Sequence, residues 1–166
     1  TSEGKPLHDY LEAKNHAEAI DGLYEIIHGD RDLSESLIKQ LHGVLMRGIE
    51  HTYAKGASGQ MIKKPFHAGR YKLQPNHVLT LSGNIHHYAE PMKVQDEMER
   101  LMQWYHEERF LHIVEKAAIF HYRFATINPF DDGNGRMARL LMNLILMKRG
   151  YPPCIIKNIH RRKYLE

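Results

Sequence analysis

Apolar positions recur at helical spacing through the first third of the chain. One such segment covers residues 8–27 and ends near Gly29. Its apolar positions are Leu11, Ala19, Leu23, Ile26 and Ile27. Ser34 then precedes a second segment, and its hydroxyl is well suited to cap a helix. The apolar positions of that second segment are Leu37, Leu41, Val44, Leu45 and Ile49. The pattern therefore predicts two amphipathic helices.

The pattern changes between residues 56 and 91, where glycine and proline interrupt the chain at seven positions. Two short stretches, residues 71–73 and 77–81, have the composition of extended chain. Residues 82–84 read Ser-Gly-Asn and favour a turn back toward residues 85–88. We predict a small β-hairpin that projects from a helical body.

Helical spacing returns after Pro91 in three further segments, residues 94–105, 110–127 and 136–149. The middle one has Ile113, Val114, Ala117, Phe120, Phe124 and Ile127 as its apolar stripe. Gly150 and the following prolines stop the last one. Residues 157–166 look like the start of another helix. Because no repeat or long linker divides the chain, we expect one all-α domain over residues 1–166, with a small β-hairpin.

The composition indicates the class of protein, its location and its partners. The 166 residues are 42 % apolar and 26 % charged, as in ordinary globular proteins. No stretch approaches the ~20 apolar residues that span a bilayer, and no apolar run follows the first residues as in a signal peptide. With Cys154 as the single cysteine, we expect a cytoplasmic protein with no membrane partner. The net charge of +3 is only a weak sign of an anionic partner. Because no basic run with interleaved aromatic residues occurs apart from residues 160–164, we expect no nucleic-acid partner. None of the 13 histidines forms a HExxH pattern.

The candidate chemistry lies in residues 128–139, which read N-P-F-D-D-G-N-G-R-M-A-R. Gly133 and Gly135 permit backbone conformations that turn several N–H groups toward one point. That point lies at the start of the helix that we expect near Arg136, where an anion is favoured. Arg136 and Arg139 are three residues apart and share a helix face, and guanidinium groups suit phosphate oxygens.

Asp132 adds a carboxylate beside this anion site, as Mg²⁺ requires when it also binds phosphate. The loop thus predicts a polyphosphate site with a divalent cation. The alternative is an ordinary helix start capped by Asn134 or Asp132, with the arginines in surface ion pairs. The spacing by itself leaves both interpretations open.

The same segment resembles the signature of the Fic family, H-x-F-x-(D/E)-G-N-(G/K)-R-x-x-R. Seven of its eight specified positions match, and these are Phe130, Asp132, Gly133, Asn134, Gly135, Arg136 and Arg139. Residues 121–127, 140–156 and 69–91 also look like the family, the last range resembling its substrate-aligning flap. The resemblance covers most of the chain.

The resemblance implies a protein adenylyltransferase, which moves AMP from ATP to a hydroxyl side chain of a target protein. It assigns Mg²⁺ to Asp132, and the α- and β-phosphates to Asn134 and the backbone of residues 133–135. Arg136 would then hold the outer phosphates, Arg139 the γ-phosphate, and Phe130 would anchor the loop in the core. Gly135 favours nucleotidyl transfer, since the Doc-like phosphotransferases of the family have lysine there.

Asn128 occupies the position of the family's catalytic histidine. An imidazole accepts a proton near pH 7, whereas an amide only forms hydrogen bonds. Loss of a general base lowers rates by roughly 10²–10⁴-fold. We therefore expect impaired catalysis with nucleotide binding largely spared, either through an engineered replacement or in a natural pseudoenzyme that acts as a binding module. We expect His121, on the preceding helix, to be a packed or hydrogen-bonded residue rather than a substitute base.

Two further expectations follow from the resemblance. Glu3, followed by Gly4, resembles the inhibitory glutamate of Fic proteins, which pairs with the second signature arginine, here Arg139; an exposed terminal glutamate is the alternative. The candidate flap edge for binding the target backbone consists of Val78, Leu79, Thr80, Leu81 and Ser82. The sequence leaves open the target and whether the chain forms a homo-oligomer.

Overall fold

A computed structural model describes residues 4–55, 60–65, 67–79 and 85–156. This part of the chain contains five helices and two antiparallel hairpins. The helices are α1 (Gly4–His28), α2 (Glu35–Leu45), α3 (Pro91–Glu107), α4 (Ile113–Ile127) and α5 (Asn134–Met147). The strands are β1 (His51–Lys55), β2 (Met61–Pro65), β3 (His77–Leu79) and β4 (Ile85–His87). The prediction of a mainly helical fold with a small hairpin flap is confirmed.

The core is formed by the apolar faces of the helices. Helices α4 and α5 pack against each other, and Phe120 and Phe124 of α4 are fully buried, as are Leu141 and Leu144 of α5. Helix α2 contacts α1, α3 and α5. Its N-cap is Ser34, whose hydroxyl accepts a hydrogen bond from the Leu37 N–H at 3.3 Å, as predicted. This arrangement places α2 directly beneath the loop that joins α4 to α5.

The ends of several predicted helices need correction. Helix α2 ends at Leu45 rather than Ile49, because the chain turns through Gly48 at φ 75°. Helix α4 begins at Ile113, and Phe110, which we placed inside it, is 97 % exposed. Val114, predicted for the apolar stripe, is also exposed.

The irregular region differs from the prediction in two ways. Residues 71–73 form no strand, because the Lys72 N–H donates to the Pro129 carbonyl at 2.9 Å rather than to a neighbouring strand. The hairpin of β1 and β2 was not predicted, and it pairs His51 with Pro65 and Lys55 with Met61. Strand β2 is mostly exposed, so its sequence lacks the apolar alternation that reveals a half-buried strand.

The C-terminal part of the described chain runs back along α5. The Asn143 side chain accepts a hydrogen bond from the Cys154 N–H at 2.8 Å and donates one to its carbonyl at 3.2 Å. The helix predicted for residues 157–166 lies outside the described residues. Within the part that the structure describes, no helix combines the length and the apolar character that a bilayer crossing demands.

Candidate active site

A cleft of about 410 Å³ opens where the loop between α4 and α5 meets the hairpin of β3 and β4. Its walls come from that loop, the first turns of α5 and residues beside the hairpin. The lining residues are Asn76, His77, Tyr88, Asn128, Asp131, Asp132, Gly133, Asn134, Gly135, Arg136 and Arg139. The structure thus brings together all the loop and α5 residues that the sequence assigned to phosphate, metal and base.

Asn128 ends α4 in a left-handed conformation, with φ 52° and ψ 62°. Among the residues that the structure describes, it alone combines a positive φ with a side chain. Asparagine adopts this conformation readily, and histidine is also enriched in it. The Asn128 side chain is 9 % exposed, and no group in the described ranges donates a hydrogen bond to its Oδ1. Asn128 therefore lines the cleft but supplies no base there.

The loop that follows is held by the side chain of Asn134. Its Oδ1 accepts the Phe130 N–H at 2.9 Å, and its Nδ2 donates to the Phe130 carbonyl at 2.7 Å. Asn76 donates a further hydrogen bond to that carbonyl at 3.1 Å. Phe130 itself is fully buried, as predicted for the anchor of the loop. These bonds fix the turn without any ligand.

Helix α2 supports the same loop through His42. Its Nδ1 accepts the Gly69 N–H at 2.8 Å, so the ring proton is on Nε2, which donates to the Asp132 carbonyl at 3.0 Å. The imidazole stacks on the Phe130 ring at 3.7 Å between centroids. Burial lowers the pKa of His42 to about 4, which the Arg136 charge favours and Asp132 opposes. His42 is therefore neutral near pH 7, in one tautomer.

Asp132 is the carboxylate best placed for a cation. Its Oδ1 accepts the N–H of Gly133 at 2.6 Å and its Oδ2 accepts the Thr52 hydroxyl at 2.9 Å. No group of three or more His, Cys, Asp or Glu that could hold a metal occurs in the described part of the chain. One carboxylate in a cleft lined by two arginines still fits Mg²⁺, which takes its other ligands from phosphate and water. Burial raises the pKa of the neighbouring Asp131.

The two arginines rise from the first turns of α5. Arg136 forms an ion pair with Glu12 of α1, with 2.8 Å between Nη1 and Oε1, and its Nη2 lies 3.4 Å from the Met46 sulfur.

The N-cap of α5 is Gly133, and no side chain caps it. The alternative interpretation, a helix start capped by Asn134 or Asp132 with surface ion pairs, is therefore wrong in its capping residues.

Residues 32–146 match the sequence model of the Fic/DOC family. The chain belongs to this family. A Fic-domain signaling protein from Bacteroides thetaiotaomicron superposes with a TM-score of 0.81 at 35 % identity, over 96 % of this chain and 56 % of that one. Fic-1 from Caenorhabditis elegans superposes with a TM-score of 0.71 at 26 % identity, over 93 % of this chain and 41 % of that one.

Curated relatives with similar sequences are named protein adenylyltransferase Fic. One from Nematostella vectensis is 40 % identical over 104 residues, which are 61 % of this chain and 23 % of that protein. One from Culex quinquefasciatus is 49 % identical over 71 residues, which are 42 % of this chain and 14 % of that protein. The chain thus spans less than a quarter of the length of these two relatives.

Two parts of the predicted Fic machinery lie partly or wholly outside the described residues. Val78 and Leu79 belong to β3, which pairs with β4 in the expected hairpin, whereas Thr80, Leu81, Ser82 and Glu3 are not described. His77, at the start of β3, lines the cleft. The start of the hairpin of β3 and β4 therefore lies beside the Fic loop, and its role as a flap stays a prediction.

Several residues of the site were missed by sequence reasoning. Lys72 is buried, and its ammonium donates to the Asn76 side chain at 2.6 Å and to the Ile127 carbonyl at 3.5 Å. Burial lowers its pKa to about 8. His42 was also missed, and so were Asn76, Thr52 and Glu12, which no local pattern marks. A sequence signal did exist for one of them: His42 is a polar residue on the apolar face of α2.

His121 behaves as expected. It is half-buried, hydrogen-bonds to the Ala138 backbone and does not line the cleft. Burial is the main cause of its lowered pKa, and the charge of Arg139 adds to it. The structure gives His121 no place as a substitute base.

Proposed function

We propose that this Fic domain binds ATP with Mg²⁺, that its chemistry is transfer of AMP to a hydroxyl side chain of a target protein, and that Asn128 disables the transfer step. One observation carries the proposal. A single cleft contains the position of the base together with one carboxylate, a glycine turn and two arginines. The names of the relatives support the same activity at the level of the family.

Binding of ATP and Mg²⁺ would depend on groups other than Asn128. Asp132 would hold Mg²⁺, which neutralises phosphate charge when bound. The backbone of residues 133–135 and Asn134 would contact the α- and β-phosphates at the start of α5, where helix N–H groups favour anions. Arg136 and Arg139 would contact the outer phosphates. Since His42 and Asn134 already hold the loop, binding needs little rearrangement.

The catalytic half depends on proton transfer. A hydroxyl attacks phosphorus efficiently only if a base takes its proton as the bond forms. Asn128 cannot act as this base, because an amide cannot hold the proton. We expect AMP transfer to be slower by roughly 10²–10⁴-fold than with histidine at this position. An inactivating replacement and a natural pseudoenzyme both fit this geometry.

The proposal also covers how the target protein is bound and how Glu3 inhibits the site. The edge of the flap hairpin, from Val78 to Ser82, would align the target by accepting its backbone as an added strand. Glu3 would pair with Arg139 and compete with the γ-phosphate. Neutralising it should therefore raise the affinity for ATP.

The first experiment measures binding. Calorimetric titration of the Glu3→Gly chain with ATP and Mg²⁺ should give a saturable signal that the Asp132→Ala, Arg139→Ala double variant loses. Absence of binding by the Glu3→Gly chain would refute the nucleotide proposal for this domain.

The second experiment restores the base. In the Glu3→Gly background, Asn128→His should increase incorporation of label from α-labelled ATP into protein by at least about 100-fold. Asn128→Gln is the matched control, because glutamine adds length but no base. Label transferred only from the γ-phosphate would indicate a Doc-like phosphotransferase. No label at all, with binding intact, would favour the second candidate function, a non-catalytic nucleotide-binding module.

A further inference from the structure

Glu12 of α1 contacts Arg136, which lines the candidate nucleotide site. Its carboxylate lies 2.8 Å from Nη1 of Arg136, although the two residues are 124 positions apart in sequence (136 minus 12). We infer that Glu12 is a positioning residue that holds the Arg136 guanidinium toward the outer phosphates of a bound nucleotide. The inference rests on the proposed function, since it concerns how that site is built.

The contact involves the buried end of the guanidinium. Arg136 Nη1 is inaccessible to solvent, and the whole side chain is 20 % exposed. Nη2 lies 3.4 Å from the buried Met46 sulfur of the segment after α2. Arg136 nevertheless lines the cleft. Two different elements therefore hold the inner part of the guanidinium and leave another part facing the cleft.

Helix α1 is anchored well enough to hold Glu12 in place. Three residues after Glu12, the Asn15 side chain donates to the Arg47 carbonyl at 2.7 Å. Further along, Ala19 and Leu23 are buried in the core. One turn after Glu12, His16 has a pKa lowered by burial and then by the charges of Arg136 and Arg139. The same face of α1 thus contacts Arg136 through Glu12 and lies near Arg139.

A positioning role and a competing role for this carboxylate predict opposite results. A carboxylate that occupied the phosphate-binding edge of Arg136 would weaken ATP binding, and its removal would strengthen it. Glu12 instead pairs with a nitrogen that phosphate cannot reach. Removing Glu12 leaves a buried cationic nitrogen without its counter-charge, which is unfavourable. Arg136 relieves this cost by turning toward solvent, away from the cleft, and ATP binding weakens.

The test compares Glu12→Ala with a control on the same helix. Glu18→Gln is suitable, because Glu18 pairs with Arg47, on an exposed surface that does not line the cleft. In the Glu3→Gly background, calorimetry with Mg²⁺ measures the affinities for ATP, ADP and AMP. We expect Glu12→Ala to weaken ATP binding by about 10-fold, the effect of losing one charge-assisted phosphate contact. AMP binding should change less than about 2-fold, and Glu18→Gln should have no effect on ATP binding.

The number of phosphates on the nucleotide distinguishes a positioning role of Glu12 from a general loss of structure in the variant. Equal weakening of all three nucleotides would overturn the inference, because a distorted fold affects the whole cleft. Unchanged or tighter ATP binding would also overturn it. If the Glu3→Gly chain binds no nucleotide, the proposed function fails separately. The exchange of the Arg136 Nε–H with solvent, followed by NMR without nucleotide, then decides the role of Glu12: faster exchange in Glu12→Ala supports it and equal exchange refutes it.

Discussion

At the scale of single residues, His42 shows how one side chain can order a site that it does not enter. It accepts a hydrogen bond from the Gly69 N–H at the base of the flap and donates one to the Asp132 carbonyl in the Fic loop. It does not line the cleft. Both hydrogen bonds require the neutral ring, because a protonated Nδ1 cannot accept the Gly69 N–H. The order of the loop is therefore tied to the protonation state of this histidine.

This state predicts a pH dependence of stability. The folded pKa of His42, about 4, lies below the unfolded value of 6.5, so folding favours the neutral ring. The resulting stabilisation is fully present above pH 6.5 and is lost as the pH falls from 6.5 to 4. Between pH 7 and pH 5 we expect the free energy of unfolding to fall by about 2 kcal/mol from this group. Urea denaturation at the two pH values measures it.

His42→Gln serves as the control, since glutamine does not titrate. The difference between pH 7 and pH 5 should be about 2 kcal/mol smaller in His42→Gln than in the parent chain. Other histidines titrate in both proteins and cancel in this comparison. An equal pH dependence in the two proteins would show that His42 is not the group responsible.

At the scale of elements, the turn that leads into the flap is fixed against α2 at Gly69. Its φ is 76°, and an added Cβ would lie 2.9 Å from the Lys39 carbonyl oxygen of α2. An alanine there would meet both an unfavourable backbone conformation and a rigid backbone atom. This close approach lets the Gly69 N–H reach His42.

Gly69→Ala should lower the free energy of unfolding by about 2 kcal/mol or more. Gly22 in α1 is the matched control, because an added Cβ there meets nothing within 4 Å. Gly22→Ala should instead stabilise the protein by roughly 0.5–1 kcal/mol through helix propensity. Urea denaturation of the two variants gives both values. Similar effects of both substitutions would show that Gly69 is not constrained by α2.

The elements differ in how far the sequence predicts them, for physical reasons. The helices that carry a buried stripe, such as Phe120, Phe124 and Ile127 of α4, were predicted because burial imposes the 3.6-residue period. The β1–β2 hairpin was missed because its exposed second strand is under no such constraint. Phe110 was misplaced because an apolar residue at helical spacing looks the same whether it is buried or exposed.

At the scale of the whole molecule, Phe130 is the point where the elements around the site meet. It stacks on His42 of α2, and its ring centroid lies 6.4 Å from that of Phe124 of α4 and 5.5 Å from that of Tyr71 near the flap. Its backbone holds the side chains of Asn134 and Asn76. Loss of this ring would leave a cavity that several elements share.

We expect Phe130→Ala to lower the free energy of unfolding by about 3–5 kcal/mol. Phe110→Ala is the control, because that ring is 97 % exposed and should cost less than about 0.5 kcal/mol. Thermal and urea unfolding measure both. A small effect of Phe130→Ala would mean that the loop packs on the core without its ring.

Across the whole molecule, some residues of the site can be predicted from the sequence and others cannot. Asp132, Gly133, Arg136 and Arg139 are neighbours in sequence, so their spacing predicts their shared cleft. Glu12, His42 and Thr52 come to the loop from 80 to 124 positions away, for example Thr52 to Asp132. Only the packing of α1 and α2 against α5, and the position of β1 beside the loop, bring them there, and no local pattern encodes that arrangement.

The pair of hydrogen bonds between Asn134 and Phe130 has a kinetic consequence. The Asn134 side chain bonds to both main-chain polar groups of Phe130, four positions earlier, and so gives the loop its binding shape as soon as the domain folds. The conformational entropy that is lost when the loop becomes ordered is therefore lost on folding and not on nucleotide binding. The loop is therefore already in its binding conformation when a nucleotide arrives. We expect variants of the loop to differ mainly in the dissociation rate of the nucleotide and little in its association rate.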